Sequence, residues 1–429
     1  MVSCCGLIFL EFCSSAILSK QGLARNDIKE VYPTSRILCF SRAYLVAMLF
    51  PKLSLLFGLL TPFPCATYSQ ALNEAHIEGI HGTLHHRNYF YVGGEYVAQG
   101  NSTIAHGQIY VEHLTPEKVI HAEPIVMIHG HGMTGSNFLN TPDGRLGWAD
   151  YFLSEGFELF IIDQPARARS AWQINVDGVQ SAYDTFTVES RFTAPQRFNL
   201  WPKASLHTQW PGPGIAGDPI FDNFYASTVP SLDSDEESSL KMKTAGSKLL
   251  DRIGRPVILL THSQGGQYGW ILADSRPALI RTVIAIEPIG PPFINAVFPP
   301  LTPARSFGVT EIPMTYSPPI SSPSDLRREV VFNNTNTGTT CFRQASPARK
   351  LVNLQGIPMV VVTSESSYHA EYDGCTVEYL KQAGVDVEHL RLAEDRGIKG
   401  NGHMMFMEMN ELEIAKNVVR RWIRESVGE

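Results

Sequence analysis

The chain lacks the marks of several protein classes. Its 429 residues carry a formal charge of −7 and no basic stripe, so a nucleic-acid binder is excluded. There is no Gly-rich phosphate loop, since the GxGxxG spacing followed by a ribose acid is absent, and nothing asks for a nucleotide. No segment repeats. Charged residues make up only 18%, yet hydrophobic ones reach 44%, so a packed core is possible and wholesale disorder is not expected. Cysteine is scarce beyond the first 71 residues. Of seven in the chain, five lie there, which leaves Cys341 and Cys375.

That leading segment divides in two. Residues 1–47 hold mixed apolar stretches without a period and read as a doubtful extension. Met48-Leu-Phe-Pro-Lys52, the apolar run Leu53 to Leu60 and small residues through Ala71 read as a secretory signal, with translation starting at Met48. The run is too short to span a bilayer comfortably; a membrane anchor is the competing reading. Without residues 1–71, Lys+Arg falls from 35 to 29 and Asp+Glu from 42 to 39, for a charge of −10. In a secreted chain the two remaining cysteines suggest one disulfide, and Asn101-Ser-Thr and Asn333-Asn-Thr become glycosylation acceptors. No stable membrane association is expected.

Residues 72–429 read as one α/β domain. Tyr89 to Val97 and Ile104 to His113 alternate around Gly100-Asn101, which predicts an opening hairpin. Short apolar strands follow at Ile125 to Ile128, Glu158 to Ile162, Val257 to Leu260, Thr282 to Ile286, Pro358 to Thr363 and Val387 to Leu392. Helical stretches separate them, and Glu411 to Val427 closes the chain with Leu412, Ala415, Val418, Val419 and Trp422 as its apolar stripe. Strands alternating with helices imply a mostly parallel sheet covered on both faces. Two irregular insertions interrupt this, at about 171–238 and 291–349; the first is rich in aromatics. The acidic run Asp233, Asp235, Glu236, Glu237 reads as a solvated helix start.

The chemistry centres on Thr261-His-Ser-Gln-Gly265. A buried strand, a sharp turn with Ser at its tip, and a helix form the layout of a nucleophile elbow. The turn crowds the positions two before and two after the serine, which must be small; here they are Thr261 and Gly265. The plainer reading is a Ser/Gly-rich turn. Ser263 needs a base and the base needs a partner that fixes its tautomer. His403, in the loop after the last strand, is the candidate base; the plainer reading makes it a helix cap. His262 is adjacent to the serine and points elsewhere, and His129 reads as a backbone anchor. For the acid, Glu287 at a strand end competes with Glu365 and Asp373 after the next strand, and the pattern leaves the choice even. The oxyanion needs two backbone N–H donors: Gln264, and His131 or else Gly132 in His129-Gly-His-Gly132. No metal or organic cofactor is implied.

These pieces together resemble an unusual branch of the α/β-hydrolases, bacterial and fungal esterases whose acid follows the sixth strand. The matching residues are His129-Gly130, Thr134-Gly135, Thr141-Pro-Asp-Gly-Arg145, Gly147-Trp148, Tyr151-Phe-Leu153, Ile162-Asp163, Arg167, Arg169-Ser170, His262-Ser-Gln264, Glu287-Pro288, Gly400-Asn401, His403-Met-Met405 and Asn410. The resemblance implies an α/β-hydrolase fold, the triad Ser263, Glu287 and His403, and a small-molecule ester as substrate. The chain departs from it at His131-Gly132, where the bacterial esterase carries paired cysteines. An amide, lactone or carbon–carbon hydrolase on the same residues, or a binding protein of the same fold, is the alternative.

Overall fold

The computed structural model describes residues 81–428. The expected extension at 1–47 and signal at 48–71 lie outside the described residues. Eight strands form the central sheet and are numbered in chain order: β1 His85–Gln99, β2 Ser102–Pro116, β3 Ile125–Ile128, β4 Leu159–Asp163, β5 Val257–His262, β6 Ile280–Ile286, β7 Met359–Thr363 and β8 Val387–Arg391. Their spatial order is β1-β2-β4-β3-β5-β6-β7-β8. β1 and β2 pair antiparallel, β2 pairs antiparallel with β4, and every later pair is parallel.

The two periods in the sequence become two packed layers. Along β5, Val257 and Leu259 face one cluster of buried side chains, while Ile258 and Leu260 face the other. Along β7, Met359 and Val361 join the first cluster, Val360 and Val362 the second. Both faces are therefore covered, which is why these strands read as continuous apolar runs. Each such side chain removed from water stabilises by about 1.5–3 kcal/mol. The order β4-β3-β5 puts β3 and β5 side by side, so the loops after them open together at one sheet edge.

The helices that matter for the site are α1 Trp148–Ser154, α2 Asp235–Ile253, α3 Gly265–Ser275 and α4 Asp373–Gln382. The acidic run does start a helix: Ser234 caps α2 by accepting from Glu237 N–H at 3.1 Å. Residues 171–234 contain three short α-helices, Thr185–Val188, Pro195–Phe198 and Pro219–Ala226. The aromatics there are largely buried, with Phe221, Phe224, Trp201 and Trp210 at most 4% exposed. In 291–349 a hairpin pairs Arg328–Asn334 with Thr339–Gln344, and a disulfide joins its Cys341 to Cys375 of α4, Cα to Cα 5.4 Å.

The closing helix departs from its predicted stripe. Leu412 is 49% exposed, and Ile414 is buried in its place. A π turn at Ala415–Arg420 interrupts the helix, but the buried positions Glu411, Ile414, Ala415, Val418, Val419 and Ile423 keep a three- and four-residue spacing through it, and Leu412 lies outside that stripe. Among the described residues, no helix is long and apolar enough to cross a membrane.

Candidate active site

Ser263 sits between β5 and α3 with φ +54°, in the left-handed region that residues with a Cβ seldom occupy. Tertiary contacts hold it there. Ser263 N–H donates to Ile286 O at 3.1 Å, while Gly266 N–H and Ile289 N–H both donate to Ser263 O at 2.9 Å. The small-residue rule has a direct cause. A Cβ at Gly265 would come within 2.7 Å of the Ile128 and His129 carbonyl oxygens, so β3 packs on the turn itself. A Cβ at Gly130 would stand 2.9 Å from Ser263 Cβ. Ser263 is half-buried.

Glu287 also has a positive φ, +45°, one residue past β6. The turn aims its carboxylate across the loop after β7. Oε1 accepts from Ser364 N–H at 2.8 Å and Ser364 O–H at 2.6 Å; Oε2 accepts from Ser367 O–H at 2.7 Å and His403 Nδ1–H at 2.7 Å. With Nδ1 carrying the proton, His403 presents Nε2 as an acceptor. Burial leaves the Glu287 pKa raised, with His369 and the Ser364 and Ser367 bonds offsetting part of that rise. Burial first, and then His369, holds His403 well below its usual range and so neutral.

His403 is brought to the elbow by His262. The two rings lie 4.5 Å apart, and His262 Nε2–H donates to His403 O at 3.0 Å. Among the hydrogen bonds of the described residues there is none between Ser263 Oγ and His403 Nε2. In substrate-free sites this bond is often long and tightens in the complex. The other acid candidates lie elsewhere. Glu365 accepts from Gly400 N–H at 3.0 Å, and Asp373 pairs with His369 Nδ1–H at 3.0 Å. That second imidazole stacks on His403 at 4.6 Å. Glu287, His369 and His403 offer ligand atoms within 4.8 Å of one another. Those atoms are engaged with each other, with Asp373 and with Tyr372 OH, which suits a hydrogen-bonded array better than a cation.

The loop after β3 carries the candidate oxyanion donors. Gly132 N–H is already donated to Ser231 Oγ at 2.9 Å, which removes it from the choice. Among the described residues neither His131 N–H nor Gln264 N–H has a partner. His129 anchors the loop as a backbone brace: its Nδ1–H donates to Gly130 O at 2.9 Å and its Nε2 accepts from Gln164 N–H at 3.1 Å. Burial, followed by the nearby Arg167, pushes both His129 and His131 down to about 3, so both are neutral. Aromatic rings cover the site: Tyr183 lies 4.9 Å from the His131 ring, and Phe192 and Tyr368 lie 5.2 and 5.1 Å from His403.

The model of the alpha/beta hydrolase family matches residues 125–416. The chain belongs to the alpha/beta hydrolase family. The hydrolase is 48% identical over 340 residues to a protein named "Probable secreted lipase phiG" from a fungus, Fungal sp. (strain ATCC 74256), covering 79% of this chain and 89% of that one. Among solved structures it resembles "The Atomic Resolution Structure of a Novel Bacterial Esterase", with a TM-score of 0.52, 21% identity, and coverage of 81% of this chain and 98% of that one. That likeness bears on the fold.

Several residues that support this hydrolase site are given no role in it by the sequence reading. Ser364 and Ser367 hold Glu287 from 77 and 80 residues away. Glu408 accepts from Gly402 N–H at 2.9 Å, from Asn401 Nδ2 at 2.7 Å and from His207 Nε2 at 2.8 Å, and so ties the insertion to the His403 loop. Arg145 braces that loop too, donating to the Met407 and Glu408 carbonyls at 3.3 and 3.2 Å. Asp235 accepts from the Gln264 side chain at 2.8 Å, so one member of the acidic run is more than a helix start. Spacing could have flagged Glu408, the sole acid within five residues after His403.

Proposed function

We propose that the protein is a secreted serine hydrolase of carboxylic esters that works through an acyl-enzyme. Ser263 Oγ attacks the ester carbonyl. His403 Nε2 takes the serine proton and returns it to the leaving alcohol. Glu287 fixes the His403 tautomer and stabilises the imidazolium that forms. The N–H groups of His131 and Gln264 receive the oxyanion. Water then repeats the sequence on the acyl-enzyme.

One observation carries this reading: a serine held at positive φ on an elbow, met at one sheet edge by a His–Glu pair from two other loops. The relative named as a probable secreted lipase supports the ester and secreted parts of it. The rings of Tyr183, Phe192 and Tyr368 around His131 and His403 favour an apolar acyl or alcohol group. Asn101 and Asn333 are both exposed, as glycan acceptors must be.

Ser263→Ala should abolish hydrolysis of short nitrophenyl esters and labelling by a fluorophosphonate, with the melting temperature unchanged. Undiminished turnover by that variant ends the proposal. Recovery of the protein from the medium tests the secretory part, and N-terminal sequencing of that protein tests the start at Met48; a mature start before Met48 contradicts the latter.

A further inference from the structure

Arg167 is 2% exposed, and among the described residues no carboxylate forms an ion pair with it. Burying an uncompensated cation is unfavourable. The chain nonetheless fixes it firmly. Arg167 N–H donates to Ser170 O at 2.7 Å and Ser170 N–H returns to Arg167 O at 2.8 Å, with Ala166 and Ala168 on either side at φ +55° and +47°.

The guanidinium has one partner in the loop after β3 and one at the elbow. Nη1–H donates to Gly130 O at 3.0 Å, and Nη2–H donates to Gln264 Oε1 at 3.2 Å. Gly130 O belongs to the same peptide group as His131 N–H. Gln264 is the residue that carries the other free N–H. Gln264 Nε2 in turn donates to Asp235 Oδ1 at 2.8 Å, so the compensating charge reaches Arg167 through an amide.

We propose that Arg167 is a positioning residue for the oxyanion site, acting directly on the Gly130–His131 peptide and on Gln264 through its side chain. This rests on the Ser263 reading above. A charged donor on a peptide carbonyl draws electron density toward the oxygen and leaves the N–H of that peptide a stronger donor. The Gly130–His131 peptide is loaded in this way. The bond to Gln264 sets the spacing between the two donors. Both effects gain most when negative charge develops on the substrate oxygen, and so they act on kcat more than on KM.

The test compares Arg167→Met and Arg167→Lys with the parent, using an oxygen ester and its thionoester, whose C=S sulfur accepts hydrogen bonds weakly. Losing one whole donor costs about 100- to 1000-fold, so weakening one should cost about tenfold in kcat on the oxygen ester. The thionoester should fall much less, KM should change little, and Arg167→Lys, which keeps the charge but bridges poorly, should lie between. A merely structural role predicts equal losses on both substrates. Equal losses, or no loss, in either folded variant overturn the proposal; if the Met variant does not fold, the Lys variant decides alone. Fluorophosphonate labelling of the parent at Ser263 separates the two claims. A labelled parent with an unmoved ester-to-thionoester ratio sinks only the role of Arg167, while an unlabelled parent sinks the serine reading and this one with it.

Discussion

Replacing Glu287 by glutamine exchanges one carboxylate oxygen for an NH2 and should nearly silence the enzyme. The carboxylate is 0% exposed and accepts four hydrogen bonds. An amide of the same shape has one acceptor oxygen and one NH2. Ser364 N–H is fixed backbone, so the amide oxygen must stay on its side. The NH2 then faces Ser367 and His403. The Ser367 hydroxyl can rotate and accept. His403 can accept only by moving its proton from Nδ1 to Nε2, and that tautomer offers Ser263 a donor where a base is needed. The imidazolium formed during attack also loses its counter-charge. The same exchange in trypsin-like triads lowers kcat about 10⁴-fold, so a loss of about 10³–10⁴ is expected, or about 4–5.5 kcal/mol in the barrier. Glu365→Gln weakens one bond, to Gly400 N–H at 3.0 Å, and should cost less than about tenfold. Steady-state hydrolysis of a nitrophenyl ester by both variants, with melting curves to show that each is folded, settles the ranking. A folded Glu287→Gln variant within tenfold of the parent, or a Glu365→Gln variant that is worse, refutes the reasoning.

Two further outcomes follow from the same geometry. The base must be neutral, and burial holds His403 well below its ordinary 6.5, so kcat/KM should stay level from neutral pH to below 6.5 and fall only as pH drops through the depressed value. A pH profile whose acid limb lies at or above 6.5 contradicts that. Glu408→Gln can keep its oxygen on Gly402 N–H and His207 but turns an NH2 toward the Asn401 amide, and should cost about 1–3 kcal/mol of stability along with part of kcat. Denaturant unfolding checks it, and a change below about 0.5 kcal/mol means Glu408 does not hold the loop.

Much of the fold was legible because its signals are local. A run such as Val257 to Leu260 is apolar at every position, β-favouring and short, which fits a strand covered on both faces. The elbow was legible for the same reason: the constraint on Thr261 and Gly265 acts within five residues. The closing helix was read wrongly at Leu412, because its buried face starts at Glu411, a charged residue that an apolar pattern passes over.

The sequence by itself determined the parallel sheet, the elbow at Ser263 and a His in the last loop, since each follows from side chains a few positions apart. The residue pattern left Glu287, Glu365 and Asp373 level, and resemblance to relatives then favoured the first. Tertiary structure decided what each of those acids touches: Glu287 reaches His403 across 116 residues, Asp373 is taken by His369, and Glu365 by Gly400. It also decided that Arg167, Asp235 and Gln264 form one chain of contacts. Such pairings depend on which loops share a sheet edge, and strand order, which no local pattern encodes, sets that.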